Sequence, residues 1–208
     1  MTHSVAVIDY GMGNHLSVQN ALQRLGHKAD ISRDPQRILA ADGLILPGVG
    51  SFNRAMQNMH GYGLVEPLRE AVLGQGTPLL GICLGMQLLG RDSTEGGESQ
   101  GLGLIDNPIR RLPQSGNIRI PHVGFNEVYW QEPQPLMAGI RQRSDFYFTH
   151  SFAMQKEDSD ARYIYCDYGQ TFVCGFSKDN ISGVQFHPEK SQRTGLHLIQ
   201  NFLEVSYA

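Results

Sequence analysis

Apolar and polar positions along the first ninety residues follow two distinct periods. Val5-Ala6-Val7-Ile8 is an unbroken apolar run of strand length that ends at Asp9 and is broken by the glycines of Tyr10-Gly11-Met12-Gly13-Asn14. From His15 the period changes. Val18, Ala21, Leu22 and Leu25 fall on one helical face, and Gly26 stands where such a helix ends. Leu44-Ile45-Leu46 predicts another buried strand, closed by Pro47-Gly48-Val49-Gly50. Leu79-Leu80-Gly81-Ile82 predicts a third, entered through Pro78 and followed by the apolar helical start Met86-Gln87-Leu88-Leu89. Continuously apolar strands alternating with helices point to a parallel sheet covered on both faces.

The second half has a different texture. Residues 91–117 are rich in Gly, Ser and Glu without a long periodic stretch, and are expected to run over the surface. Four strand-like runs follow: Phe146-Tyr147-Phe148-Thr149, Tyr163-Ile164-Tyr165-Cys166, Phe172-Val173-Cys174 and Val184-Gln185-Phe186. Short, aromatic and β-branched, they predict antiparallel pairs added to the sheet edge. A closing helix is expected with Ser191 as its cap and Leu196, Ile199 and Leu203 as its buried stripe. There is no internal repeat, heptad or low-complexity linker. The pattern predicts one α/β domain over 1–208, a mostly parallel central sheet with helices on both faces and antiparallel extensions.

Composition narrows the function. The 208 residues are 40% apolar, enough for a real core, and their net charge is −3, so nucleic acid is not an expected partner. No apolar run is long enough to span a membrane, and Met1 to Asp9 lacks the basic flank and long apolar stretch of a secretory signal. Three cysteines, Cys83, Cys166 and Cys174, form neither a disulfide framework nor a zinc pattern, so a reducing cytoplasm is the expected setting. His122, His150 and His187 show no ligand-like spacing, and no metal or cofactor is expected. Gly48-Val49-Gly50-Ser51 lacks the Lys-Ser/Thr of a phosphate loop, and Gly11-Met12-Gly13 lacks the third glycine of a dinucleotide fingerprint.

Two segments carry chemistry. Gly81-Ile82-Cys83-Leu84-Gly85 lies between a strand and a helix, a turn that lifts a nucleophile above the sheet and leaves no room for side chains beside it. The Leu84 N–H points the same way and serves as an oxyanion donor, while the helix start favours a thiolate. In Gln185-Phe186-His187-Pro188-Glu189, proline holds His187 extended. Residues two apart in extended chain share a face, which sets Glu189 beside the imidazole. A thiol, an imidazole and an orienting carboxylate make an activated acyl-transfer nucleophile. Sequence distance is large, so only the fold joins Cys83 to His187.

The trio Pro47-Gly48-Val49-Gly50, Gly81 to Gln87 and Gln185 to Ser191 resembles the class I (triad) glutamine amidotransferases, a family with a flavodoxin-like α/β fold. The finer spelling of Asp9 to Asn14, Pro121 to Asn126, Tyr147 to Phe152 and Glu189 to Gln192 is similar to the glutaminase subunits of imidazole glycerol phosphate synthase in histidine biosynthesis. The resemblance extends from Val5 to Phe202 and implies a catalytic Cys83, His187 and Glu189. It implies an oxyanion hole at Val49, Gly50 and Leu84, and L-glutamine held by Gly48, Gln87, His150, Ser151 and Phe152. A Val49 peptide facing away would keep such an enzyme nearly silent until its partner is occupied. That partner would be a HisF-like (β/α)8 cyclase subunit in a heterodimer, met through Asn14, Phe125, Tyr147 and Lys190. Phe125 stands where many of these subunits carry Trp, and Ser144-Asp145-Phe146-Tyr147 departs from their aromatic-rich spelling. Both positions face the partner, so a nucleotide-sugar amidotransferase of surface-polysaccharide synthesis stays open as the ammonia acceptor. A non-catalytic regulatory role is opposed by the intact Cys83, His187 and Glu189.

Overall fold

The structure, a computed structural model, describes residues 4–114 and 118–206. Met1 to His3, which entered the leader-sequence argument, and residues 115–117 of the Gly/Ser/Glu-rich stretch lie outside them. The first half alternates as its pattern requires. Strand β1 (Val5–Ile8) leads to helix α1 (His15–Arg24), β2 (Ala29–Ser32) to α2 (Pro35–Leu39), and β3 (Gly43–Gly48) to α3 (Phe52–Gly61). Helix α4 (Val65–Arg69), extended by a π-helical turn over Glu70–Gly74, precedes β4 (Leu79–Cys83) and the five-residue α5 (Leu84–Leu88). Three short strands follow, β5 (Asp92–Ser93), β6 (Ser99–Gln100) and β7 (Ile109–Arg111). Then come β8 (His122–Trp130), β9 (Ser144–His150), β10 (Phe152–Met154), β11 (Arg162–Tyr168), β12 (Gln170–Lys178), β13 (Ile181–Val184) and α6 (Gln192–Ser206).

One thirteen-stranded sheet joins them, in the order β2-β1-β3-β4-β13-β12-β10-β7-β5-β6, with β11 linking β12 to β8 and β9. From β2 to β13 the strands are parallel, and the pairs beyond are mostly antiparallel. Side chains alternate across the parallel part because the strand period is two. Ala6, Ile8, Leu44 and Leu46 pack on the face of Ile38 (α2), Met56 (α3) and Leu68 (α4). Val5, Val7, Ile45 and Leu80 pack on the opposite face with Leu22 (α1) and Phe202 (α6). Both faces are dry, as the continuous apolar runs require.

Three expectations need correction. Residues 91–114 are not a surface excursion: Leu102, Ile105, Ile109 and Leu112 are buried. The short helix α5 exposes carbonyls at its C-terminal end, and this segment satisfies them, with Leu102 N donating to Leu88 O and both Leu104 N and Ile105 N donating to Leu89 O. Secondly, Val184 ends a strand, β13, that pairs antiparallel with β12 as expected but also parallel with β4, so it lies inside the sheet and not at its edge. Its register, Val184 opposite Ile82, delivers the chain after β13 to the side of Cys83. Thirdly, the Ser191 hydroxyl does not cap α6. It donates to His187 O at 2.6 Å and accepts from Tyr147 N at 3.0 Å, bracing the loop that carries His187.

Candidate active site

Cys83 sits at the carboxyl end of β4, where crevices form in parallel sheets. Its φ of 55° and ψ of −111° lie in a region that costs a non-glycine residue roughly 1–3 kcal/mol and recurs at functional turns. The turn is possible only with glycine at position 85, because a Cβ there would lie 1.7 Å from Leu46 O. Gln185 Nε2 donates to the sulfur at 3.7 Å, and Thr149 O lies 4.0 Å away.

His187 arrives through the β13 register. Its N–H bonds Tyr147 O at 2.8 Å, and its Nδ1 lies 2.8 Å from Glu189 Oε1 with both side chains buried. The carboxylate accepts from Nδ1–H, which leaves Nε2 as the working nitrogen. That Nε2 is buried and has no hydrogen-bond partner among the described residues. Burial alone would depress the imidazole, but the neighbouring Cys83 sulfur and the Glu189 carboxylate overcome it and raise the ring from 6.5 to about 9. His187 is itself extended, as proline requires, yet Pro188–Lys190 is a 3-10 turn. The turn, not an extended pleat, folds Glu189 back onto the ring.

In front of Cys83 lies a cavity of about 350 Å³, roomy enough for a small amino acid. Val49, Gly50, Leu84, Gln87, His150, Ser151 and Phe152 line it together with Cys83, so most of the residues read from the sequence meet in one place. Gly50, with φ of +112°, adopts a conformation that side-chain-bearing residues avoid. Gly48 stands apart: it is fully buried, paired with Cys83 across β3 and β4, behind the wall and outside the lining. His187 and Glu189 do not line the cavity either.

The polar walls have fixed orientations. Gln87 Nε2 donates to Phe152 O at 3.0 Å and to Gln185 Oε1 at 2.9 Å, so its own oxygen is left for the cavity. His150 Nδ1 contacts Phe152 O at 2.9 Å, and a carbonyl only accepts, so Nδ1 carries the proton. Its Nε2 then accepts from His122 Nδ1 at 3.0 Å. Burial holds both rings neutral, His150 pushed down to about 3 and His122 to about 4. His122 is stacked between Phe148 and Tyr168, at centroid distances of 4.7 and 3.9 Å.

Four positions at the site were not assigned to it from the sequence. Pro121 and Thr149 line the cavity within segments already singled out. Glu95 lines it from the loop between β5 and β6, and its carboxylate accepts from Phe52 N at 2.8 Å, occupying the start of α3 where Ser51 makes no side-chain cap. Nothing in its polar surroundings marked it. Gln185 was legible, being two residues before His187 in the quoted motif.

The sequence profile of Glutamine amidotransferase class-I matches residues 6–205. The chain belongs to that family. Among its relatives, "Imidazole glycerol phosphate synthase subunit HisH" of Moorella thermoacetica is 48% identical over 97% of this chain and 94% of the relative. The protein of the same name from Vibrio cholerae is 48% identical over 99% of this chain and 100% of the relative. A solved glutamine amidotransferase shares the fold with a TM-score of 0.77 at 19% identity, covering 98% of this chain and 99% of the other. As a class-I glutamine amidotransferase, the chain is an enzyme whose family chemistry takes nitrogen from glutamine.

Away from this cavity, Phe125 is 52% exposed and its ring meets Tyr147 at 5.5 Å, with Lys190 Nζ 5.8 Å from the Tyr147 ring centroid. Asn14 begins α1, its carbonyl accepting from Ser17 N and Val18 N. No helix among the described residues is long and apolar enough to cross a membrane.

Proposed function

We propose that the whole chain, 1–208, acts as one glutaminase domain, the ammonia-producing subunit of imidazole glycerol phosphate synthase. The observation that carries this reading is a buried imidazole, bonded to Glu189 at 2.8 Å and raised by its neighbours, beside a strained cysteine that opens onto an amino-acid-sized cavity. Cys83 attacks the side-chain amide carbon of L-glutamine. The oxyanion is held by the Leu84 N–H and by the peptide between Val49 and Gly50, each donor accounting for roughly 10²–10³ in rate. His187, oriented by Glu189, gives its proton to the departing ammonia, leaving a glutamyl thioester. The same ring takes a proton from water, which releases glutamate and restores the thiol. Gln87 and Glu95 supply acceptors for the α-ammonium of glutamine, while His150, Ser151 and Phe152 form the opposite wall.

Ammonia released into neutral water becomes ammonium and stops being a nucleophile, so the product needs direct transfer into a second site. Relatives at 41–48% identity that carry the HisH name support a HisF-like (β/α)8 subunit as the acceptor. Asn14, Phe125, Tyr147 and Lys190 form the docking face. The test is ammonia transfer from glutamine in a coupled assay, with the chain paired either with HisF or with a nucleotide-sugar amidotransferase from the same cell. HisF together with its nucleotide ligand is expected to stimulate glutamine hydrolysis at least tenfold. Stimulation by the sugar amidotransferase alone would reassign the pathway, and a lone chain that is already fully active would overturn the partner-gated account.

A further inference from the structure

Gln185 is fully buried, yet its carboxamide is neither a catalytic group nor part of the cavity wall. Its place is fixed from the backbone: Val184 lies opposite Ile82, and Gln185 N donates to Cys174 O at 2.8 Å. The direction of each of its side-chain bonds follows from one carbonyl. Phe152 O only accepts, so the group that Gln87 turns to it at 3.0 Å is the NH2. The second hydrogen of that NH2 goes to Gln185 at 2.9 Å, which obliges Gln185 to present its oxygen. Its own NH2 is thereby left facing Cys83, 3.7 Å from the sulfur. The chain Phe152 O, Gln87, Gln185, Cys83 Sγ is thus polarised in one sense and ends on the sulfur as a donor.

We propose that Gln185 is a positioning residue that couples the substrate-facing Gln87 to the reactivity of Cys83. A buried N–H aimed at sulfur favours the anionic over the protonated form, because a donor stabilises developing negative charge more than a neutral thiol. Gln87 does not touch the sulfur, but it holds the Gln185 oxygen and so keeps the NH2 turned towards Cys83. Glutamine engaging Gln87 therefore acts on a group that is two hydrogen bonds from the nucleophile. The proposal rests on the reading of Cys83 as that nucleophile.

The test is alkylation of Cys83 by iodoacetamide in the full chain without glutamine, followed by peptide mass spectrometry. Cys166 and Cys174 are buried away from the cavity, so the Cys83 peptide reports the reaction. Gln185→Met, close in volume and unable to donate, is expected to slow alkylation at pH 7 by about 10-fold, with rates converging in alkaline solution. Gln87→Met is expected to slow it several-fold, and to add nothing in the Gln185→Met background, since both act through one bond. Should Gln185→Met fail to fold, Gln87→Met alone decides. Alkylation within twofold of the parent rate in the folded variants would overturn the proposal. Failure of the nucleophile reading would look different: the parent chain itself would gain no protection of Cys83 from added glutamine.

Discussion

A single methyl group tests whether the packing around the Cys83 turn is as tight as its geometry implies. In Gly85→Ala the new Cβ would lie 1.7 Å from Leu46 O and 2.7 Å from Leu46 C, whereas ordinary contacts begin near 3.4 Å. The obstacle is backbone in β3, which is paired on both sides by β1 and β4, so no side chain can swing away. Relief requires β3 and α5 to separate by well over an ångström. Overpacking typically costs 1–3 kcal/mol where side chains yield, so about 3 kcal/mol or more is expected here. At about 2–4 °C per kcal/mol for a chain of this length, the melting temperature falls by roughly 6–12 °C. Gly61→Ala is the control: it lies at the exposed end of α3, and a Cβ there meets nothing within 4 Å. That variant should melt at the parent temperature or slightly above it, given the helix preference of alanine. Calorimetry of the three proteins is the assay. Equal melting temperatures for Gly85→Ala and Gly61→Ala would refute the close-packed turn.

Other consequences follow from the same geometry. Glu189→Gln removes the carboxylate that orients the His187 ring and helps to hold it near 9, so glutamate release should fall about 10²-fold; activity within threefold of the parent would remove Glu189 from the mechanism. Tyr10→Phe deletes the donor to Pro47 O at 2.9 Å, directly before the Gly48-Val49-Gly50 strand end, and should cost about 1–3 kcal/mol in denaturant unfolding. An unchanged midpoint would count against that tie. Stability should also fall as pH drops from about 6.5 towards 4. In that window the unfolded chain protonates His122 and His150, while burial keeps both neutral in the folded state. His187 has the opposite sign: its stabilisation is complete below 6.5 and is lost as pH rises through about 9. Chemical denaturation across pH 5–9 should therefore show a maximum near neutrality, and a flat profile would contradict the neutral His122–His150 pair.

The parallel half of the fold was legible because its signal is coarse. Runs such as Val5 to Ile8 are apolar on both faces, and that excludes a sheet with a wet side. The Cys83 turn was legible for a related reason: glycines at 81 and 85 around a cysteine are what a strained strand-to-helix junction demands. What escaped depends on partners far away in the chain. Glu95 lies in a polar stretch, and its meaning comes only from Phe52 N and the cavity it faces. Residues 91–114 looked like surface because their buried leucines are spaced irregularly, fitted to the end of α5 and not to any period of their own. The pairing of His187 with Glu189 was anticipated, but by an extended pleat where the chain makes a 3-10 turn; the two-residue spacing survives either geometry. Gly48 was assigned to substrate for its place in the motif; in the fold it is buried beside the Cys83 strand, outside the cavity lining.

Transfer of the γ-glutamyl group from glutamine to Cys83 is the step on which the proposed function depends. Rapid quenching of the partner-bound chain in acid, followed by mass spectrometry, measures this directly. One glutamyl group on the peptide containing Cys83 is expected, and none in Cys83→Ala, which also releases no ammonia. A partner-bound Cys83→Ala enzyme that still hydrolyses glutamine, or a glutamyl adduct on any other residue, would contradict the account.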